Sequence, residues 1–368
     1  MIADHRDTTR FRDELAALTK LDGISGHEHQ VAEYLRRAME PLAGTVELDG
    51  LGNLYATRQG GSGPHLMVVA HSDETGLLVA AVEPDGFIRL QQVGGAPEAL
   101  LVGRKVRVRG RRGVIGVRPG HLTSPQEART TPEIGELYLD LGLQSSVEVA
   151  ALGIRIGDQV TWQSDLEPTA NPNRVVGKAV DNRVGCLIML ELLRSLRGAE
   201  MPGTLTVAIA VQEEVGLKGA RIAAERVRPE CALVVDTVPC ADTPDSRHVR
   251  SFPVALGQGP VFQVSSGPRG SGYLMPERVR DYLIDLAEGE GIPYQLASFP
   301  FGNTDASSVY VTAGGIPTAV ATIPRRYSHS PVEMLDLNDA LATLRLCQAM
   351  VQDVERFPRG GQENYESE

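Results

Sequence analysis

Two histidines and five carboxylates stand just where apolar runs of this chain end or begin. His71 and Asp73 follow the run Leu66 to Ala70, and Glu213 and Glu214 follow the run Leu205 to Val211. Asp236 follows a run ending at Val235, and His329 comes after a run ending near Ile323, through Pro324-Arg325-Arg326-Tyr327. Asp181 opens a long apolar segment after Gly177-Lys178-Ala179-Val180, where the free N–H groups of a first helical turn favour a carboxylate. Taken singly each has a plain reading: a strand-end histidine, a helix cap, a turn residue, a solvated acidic pair. Taken together they form a set of imidazole nitrogens and carboxylate oxygens, the donors that suit zinc, cobalt or manganese. Clustered carboxylates without cations repel one another and are costly to bury. A single ion with three protein ligands leaves several of them unexplained, whereas two ions sharing a carboxylate account for nearly all.

The elements that would position these residues alternate between strand and helix. Residues 7–20 and 27–42 read as helices, VAEYLRRAMEPL having near-helical apolar spacing. HLMVVAHSDETG is a buried strand with polar residues at its carboxyl end, and His65 precedes it at the opposite end. From residue 177 onward DNRVGCLIMLELLRSL, KGARIAAERV, PERVRDYLIDLAEGEG, DASSVYVTAGG and NDALATLRLCQAMVQDVERF read as helices; TLTVAIAVQ, CALVVDTV and GIPTAVATIP read as strands. This pattern implies an α/β fold with a mostly parallel central sheet flanked by helices, in which ligands bind beyond the carboxyl ends of the strands. GFIRL, KVRVRG, GVIGV and ELYLDL are different: short, β-rich and separated by glycines. They predict a small all-β, barrel-like domain at 75–165, inserted between parts 1–74 and 166–368 of the larger one. On an extended chain Glu213 and Glu214 would point to opposite faces, with Gly216 turning the chain away.

Bulk properties narrow the function. The chain has 368 residues, with 36 Lys plus Arg against 47 Asp plus Glu, a formal charge of −11. An acidic surface disfavours phosphate backbones, so nucleic acid is not an expected partner. Arg104, Lys105, Arg107, Arg109, Arg111 and Arg112 read as the wet face of a β-ribbon. The N-terminal stretch MIADHRDTTRFRDEL has no apolar signal core, and no apolar run approaches the ~18 residues that span a membrane. Cys186, Cys231, Cys240 and Cys347 are scattered, with no CxxC pair. A cytoplasmic protein is expected. His27, His29, His121, His5 and His248 lie outside the constellation, and the tail RGGQENYESE reads as disordered.

The chain resembles the glutamyl-aminopeptidase and deblocking-aminopeptidase family, tetrahedral dinuclear metallo-aminopeptidases with a zinc-exopeptidase-like fold. The resemblance is carried by SGHEHQVAEYL, DGLGNLYA, AHSDETGLLV, LYLDLG, IGDQVTW, VGKAVDNRVGC, VQEEVGLKGA, VVDT, NTDA and IPRRYSHSPVE, and covers nearly the whole chain. It implies two divalent ions per subunit, Zn2+ first and Co2+ or Mn2+ as alternatives. His71, Asp181 and Asp236 would hold one; Asp181, Glu214 and His329 would hold the other, with Asp181 bridging. Glu213 would be the general base and Asp73 would orient His71, the usual carboxylate–histidine–metal relay. The implied activity is removal of N-terminal residues from peptides. The inserted β-domain is implied to mediate contacts between subunits, dimers assembling into a dodecamer.

Two other hydrolytic readings fit parts of the pattern. The same ligands would serve a dinuclear amidase or deacetylase acting on small N-acyl substrates. A glycoside hydrolase would need two carboxylates facing each other across the bond, which adjacent residues of an extended strand do not supply. A non-enzymatic assembly protein built on the β-insert would leave the ligand set without a role. The glycine- and serine-rich stretch SSGPRGSGYLM, 265–275, is a candidate for shaping a substrate pocket.

Overall fold

The computed structural model describes residues 5–124, 129–246 and 252–359. His248 and the polar tail beyond Arg359 lie outside the described residues. Four strands run parallel at the centre of the main sheet, in the order Gly203–Ala210, Gly63–His71, Cys231–Pro239, Thr318–Arg326. Their apolar residues are buried on both faces, as strands covered by helices on each side must be. One face carries the helices His5–Thr19, His29–Met39, Val180–Ser195, Glu277–Gly289 and Leu337–Gln352 over the larger core. The other carries Lys218–Val227 and Ala306–Val309 over a second core of small residues such as Ala208, Ala220, Ala223 and Ala232. Val180–Ser195 is buried from Val180 through Leu193, which holds Asp181, near its start, at the centre of the molecule.

The sheet is mixed, where a mostly parallel one was expected. Its flanks are antiparallel: Thr45–Leu48 with Leu54–Arg58, Leu54–Arg58 with Gly203–Ala210, and Arg174–Gly177 with Glu333–Asp336. For the first of these pairs the reason is connection length. A parallel pair needs a crossover of a dozen residues or more, whereas the turn from Leu48 to Leu54 is closed by the Asp49 carboxylate. Asp49 Oδ1 accepts the N–H groups of Leu51, Gly52 and Asn53 at 2.9, 2.9 and 3.0 Å.

Between residues 76 and 162 six strands close a barrel in the order Gly76–Val82, Ile88–Val93, Tyr138–Asp140, Arg111–Gly116, Lys105–Val108, Gln159–Trp162. The barrel has a core of its own around Leu77, Ile88, Val106, Leu139 and Trp162. In Lys105–Val108 the two valines are buried while Lys105 is exposed, and Arg107 reaches across to Asp22 at 2.6 Å. His65 lies within the strand Gly63–His71 rather than before it, its Nε2 2.8 Å from Thr206 Oγ1 at the end far from His71. Among the described residues no helix is long and apolar enough to cross a membrane.

Candidate metal centre

The parallel register aligns Ala210 with His71 and Asp236 with Thr322, so the strand ends deliver their polar residues to one edge. His71 Nε2 lies 3.2 Å from Asp181 Oδ1 and 3.3 Å from Asp236 Oδ1. His329 Nε2 lies 3.4 Å from Glu214 Oε2 and 3.5 Å from Asp181 Oδ2. Each ring is anchored through its other nitrogen. His71 Nδ1 faces Asp73, 3.4 Å from Oδ1 and 3.2 Å from the carbonyl, and His329 Nδ1 lies 3.2 Å from the carbonyl oxygen of Gly95. An Nδ1–H donated to those oxygens leaves each Nε2 with a free lone pair aimed at the carboxylates.

All seven residues singled out from the sequence come together here. His71, Asp181 and Asp236 offer ligand atoms within 4.8 Å of one another, and so do Asp181, Glu214 and His329. The donor set of neutral imidazole and carboxylate can hold divalent ions. Asp73 ties the parts together: its Oδ1 accepts the N–H of Glu213 at 3.1 Å, and its Oδ2 accepts the N–H of Glu214 at 3.2 Å and the Ser25 hydroxyl at 2.6 Å.

The acidic pair is not extended. The strand ends at Ala210, and Gln212 turns with φ 56°. Glu213 and Glu214 therefore both line one cavity of about 670 Å³ instead of pointing to opposite faces. Ala179, Tyr327 and His329 also adopt left-handed backbone, at φ 54°, 60° and 56°, each a strain of order 1–3 kcal/mol for a non-glycine residue. Hydrogen bonds hold these bends in place. Glu28 Oε1 accepts the N–H of Gln212 at 3.1 Å; Glu333 accepts the N–H groups of Asp181 and His329 at 3.0 and 2.8 Å.

Burial pushes the carboxyls of Glu213 and Glu214 up, Glu214 to about 8, with neighbouring acids adding to the effect. Burial alone would lower the His329 imidazole, but Asp181 and Glu214 outweigh it and raise it to about 9. For His71 burial is likewise outweighed, by Asp236 and Asp181. Asp181 goes the other way: against the cost of burial, Arg325, His329 and His71 hold its carboxyl well below the usual range. A site that pushes up Glu213, Glu214 and both imidazoles is one in which divalent cations would replace protons.

Several charged residues of the site escaped the sequence reading. Arg325, 3 % exposed, ion-pairs with Asp181 and with Glu333 at 3.0 Å, and its Nε donates to Thr237 at 2.5 Å. Lys178 and Arg183 are buried against Glu74, Lys178 Nζ lying 2.6 Å from its Oε1. Asp305 is 1 % exposed and neither of its carboxyl oxygens has a hydrogen-bond partner. Glu333 and Asp305 sit inside the motifs IPRRYSHSPVE and NTDA, but nothing in local spacing distinguishes them from surface acids.

Comparison with known proteins places the chain in a family. Residues 52–346 match the sequence profile described as M42 glutamyl aminopeptidase. The glutamyl aminopeptidase of Lactococcus lactis is 31 % identical over 351 residues, covering 92 % of this chain and 95 % of that protein. Among solved structures, an aminopeptidase of the archaeon Desulfurococcus kamchatkensis superposes with a TM-score of 0.91 at 33 % identity, covering 96 % of this chain and 99 % of that one. The TET1 peptidase of Pyrococcus horikoshii, which can assemble into a tetrahedron or a large octahedral shell, superposes at 0.83 with 30 % identity, covering 93 % and 99 %. The chain belongs to the M42 glutamyl aminopeptidase family and is a metal-dependent aminopeptidase.

Proposed function

We propose that the protein removes N-terminal residues from peptides with two divalent ions held by His71, Asp181 and Asp236 on one side and by Asp181, Glu214 and His329 on the other. The observation that carries this reading is the pair of ligand triplets sharing Asp181. When bound, the ions supply Lewis-acid activation of a water molecule and of the scissile carbonyl. Zn2+ suits the donors, as do Co2+ and Mn2+.

Glu213 is the general base. It is buried beside the ligands, lines the cavity, and coordinates neither triplet, so its carboxylate is free to take a proton from the attacking water and pass it to the leaving amine. Asp73 positions both His71 and the Glu213–Glu214 turn. The acidic lining suits the free α-ammonium of a peptide, which would confine cleavage to the terminus.

The barrel is read as the contact between subunits of a dodecamer built from dimers. Leu122, Val147 and Ile156 of this segment are 72 %, 76 % and 72 % exposed, apolar surface that assembly would cover. All four cysteines are free thiols, which suits a reducing, cytoplasmic setting.

The test is Glu213→Gln, assayed on aminoacyl-p-nitroanilides with zinc, cobalt and manganese and analysed for bound metal. Metal content is expected to be retained while kcat falls by about a thousandfold or more, within the range for loss of a catalytic base plus its electrostatics. Near-wild-type turnover in Glu213→Gln would remove Glu213 from that role.

A further inference from the structure

The cavity holds two kinds of surface. One part is the charged centre already described. The other is apolar and aromatic: Phe252, Phe299 and Phe301 line it together with Pro239 and Ala241. The three rings form one cluster, with centroids 5.3 Å apart for Phe252 and Phe299, 6.2 Å for Phe252 and Phe301, and 5.8 Å for Phe299 and Phe301. Phe252 is buried beneath, whereas Phe301 is 64 % exposed. A large ring left that open on the wall of a catalytic cavity is apolar surface awaiting a partner.

Building on the aminopeptidase reading above, we propose that this aromatic wall receives the side chain of the peptide's N-terminal residue, and that the enzyme selects large apolar residues such as leucine, methionine and phenylalanine there. The charges of the cavity support the choice. Among its described lining residues Arg325 is the only lysine or arginine, and its guanidinium is committed to Asp181, Glu333 and Thr237. Among the described residues an N-terminal glutamate would find no uncommitted cation in this cavity, and it would sit beside carboxylates of its own sign. The carboxylates of the cavity are the ion-holding residues and the base, none of them part of the aromatic wall, so an N-terminal lysine would find no free counter-charge there. An alanine would fit but leave most of the wall uncovered.

The experiment is a panel of leucyl, phenylalanyl, alanyl, glutamyl and lysyl p-nitroanilides on the metal-loaded enzyme. Leucyl and phenylalanyl substrates are expected to exceed alanyl by about tenfold or more in kcat/KM, the scale set by a few buried methylenes, with glutamyl and lysyl lower still. Phe301→Ala should collapse the leucyl-to-alanyl ratio by about tenfold, mainly through KM, and Phe301→Leu should restore it. Phe301 is exposed, so its loss does not open the core. A preference for glutamyl or lysyl substrates, or a Phe301→Ala variant that lowers leucyl and alanyl turnover equally, would overturn the proposal while leaving the aminopeptidase reading intact. Failure to cleave any member of the panel would refute the aminopeptidase reading itself, and the specificity with it.

Discussion

Replacing Asp305 by asparagine should stabilise the metal-free protein, and only above acidic pH. Asp305 is buried at 1 % exposure with both carboxyl oxygens unpartnered. Burial raises its pKa from 3.8 to about 8; His71 opposes this, and Asp236 and Asp73 add to it. Below about pH 4 the group is neutral in the folded and the unfolded chain alike. Above that the unfolded chain sheds a proton which the folded chain retains, so stability declines with rising pH until the folded carboxyl itself ionises near pH 8. Each pH unit in that window costs about 1.4 kcal/mol, or about 4 kcal/mol by pH 7. An asparagine is close in shape, leaves a similar unpartnered polar head, and carries no proton to retain. Chelator-treated wild type and Asp305→Asn should therefore unfold alike in urea at pH 4 and diverge steadily toward pH 8, the variant being more stable by about 2–4 kcal/mol near neutrality. Equal stability at pH 8, or a variant weaker at every pH, would mean that Asp305 is ionised and paired in the fold, and the reasoning would fail.

Other perturbations separate the parts of the site. Glu214→Ala should lower bound metal from about two ions per chain toward one, measured by elemental analysis, because it removes one of the three ligands of a single triplet; an unchanged ratio would reassign Glu214. Lys178→Met should destabilise the fold by about 3–5 kcal/mol in denaturant titration, the usual effect of removing one partner from a buried ion pair. The loss would leave Glu74 with Arg183 alone, at 3.4 Å, and a change under about 1 kcal/mol would show that Arg183 suffices. Ile156→Asp on the barrel should shift the assembly toward smaller species in light scattering; an undiminished mass would place the contact elsewhere.

The parallel centre of the sheet and the seven polar residues at its edge were readable from sequence because each apolar run is long, punctuated and followed by a residue type that is costly to bury without a partner. The barrel was readable from its short strands and period-two alternation. What was not readable depends on contacts distant in sequence. Arg325 looks like one more polar residue after a strand until Asp181, 144 positions earlier, is seen to meet it. The shared direction of Glu213 and Glu214 depends on one left-handed residue, Gln212, and non-glycine residues with positive φ leave no reliable mark in composition. The antiparallel flanks were missed because strand alternation reports burial and not direction.

The ring of His329 rests on the carbonyl oxygen of Gly95, and a side chain at Gly95 would press on His329 while one at Gly94 would press on Thr75. Both glycines lie just past the barrel strand Ile88–Val93. The catalytic unit thus borrows part of its floor from the barrel. A truncated chain lacking the barrel would not be a smaller enzyme but one whose His329 ring has lost its anchor at Gly95. Conversely, any force that tilts the barrel, including the docking of another subunit, reaches the His329 ring through Gly95.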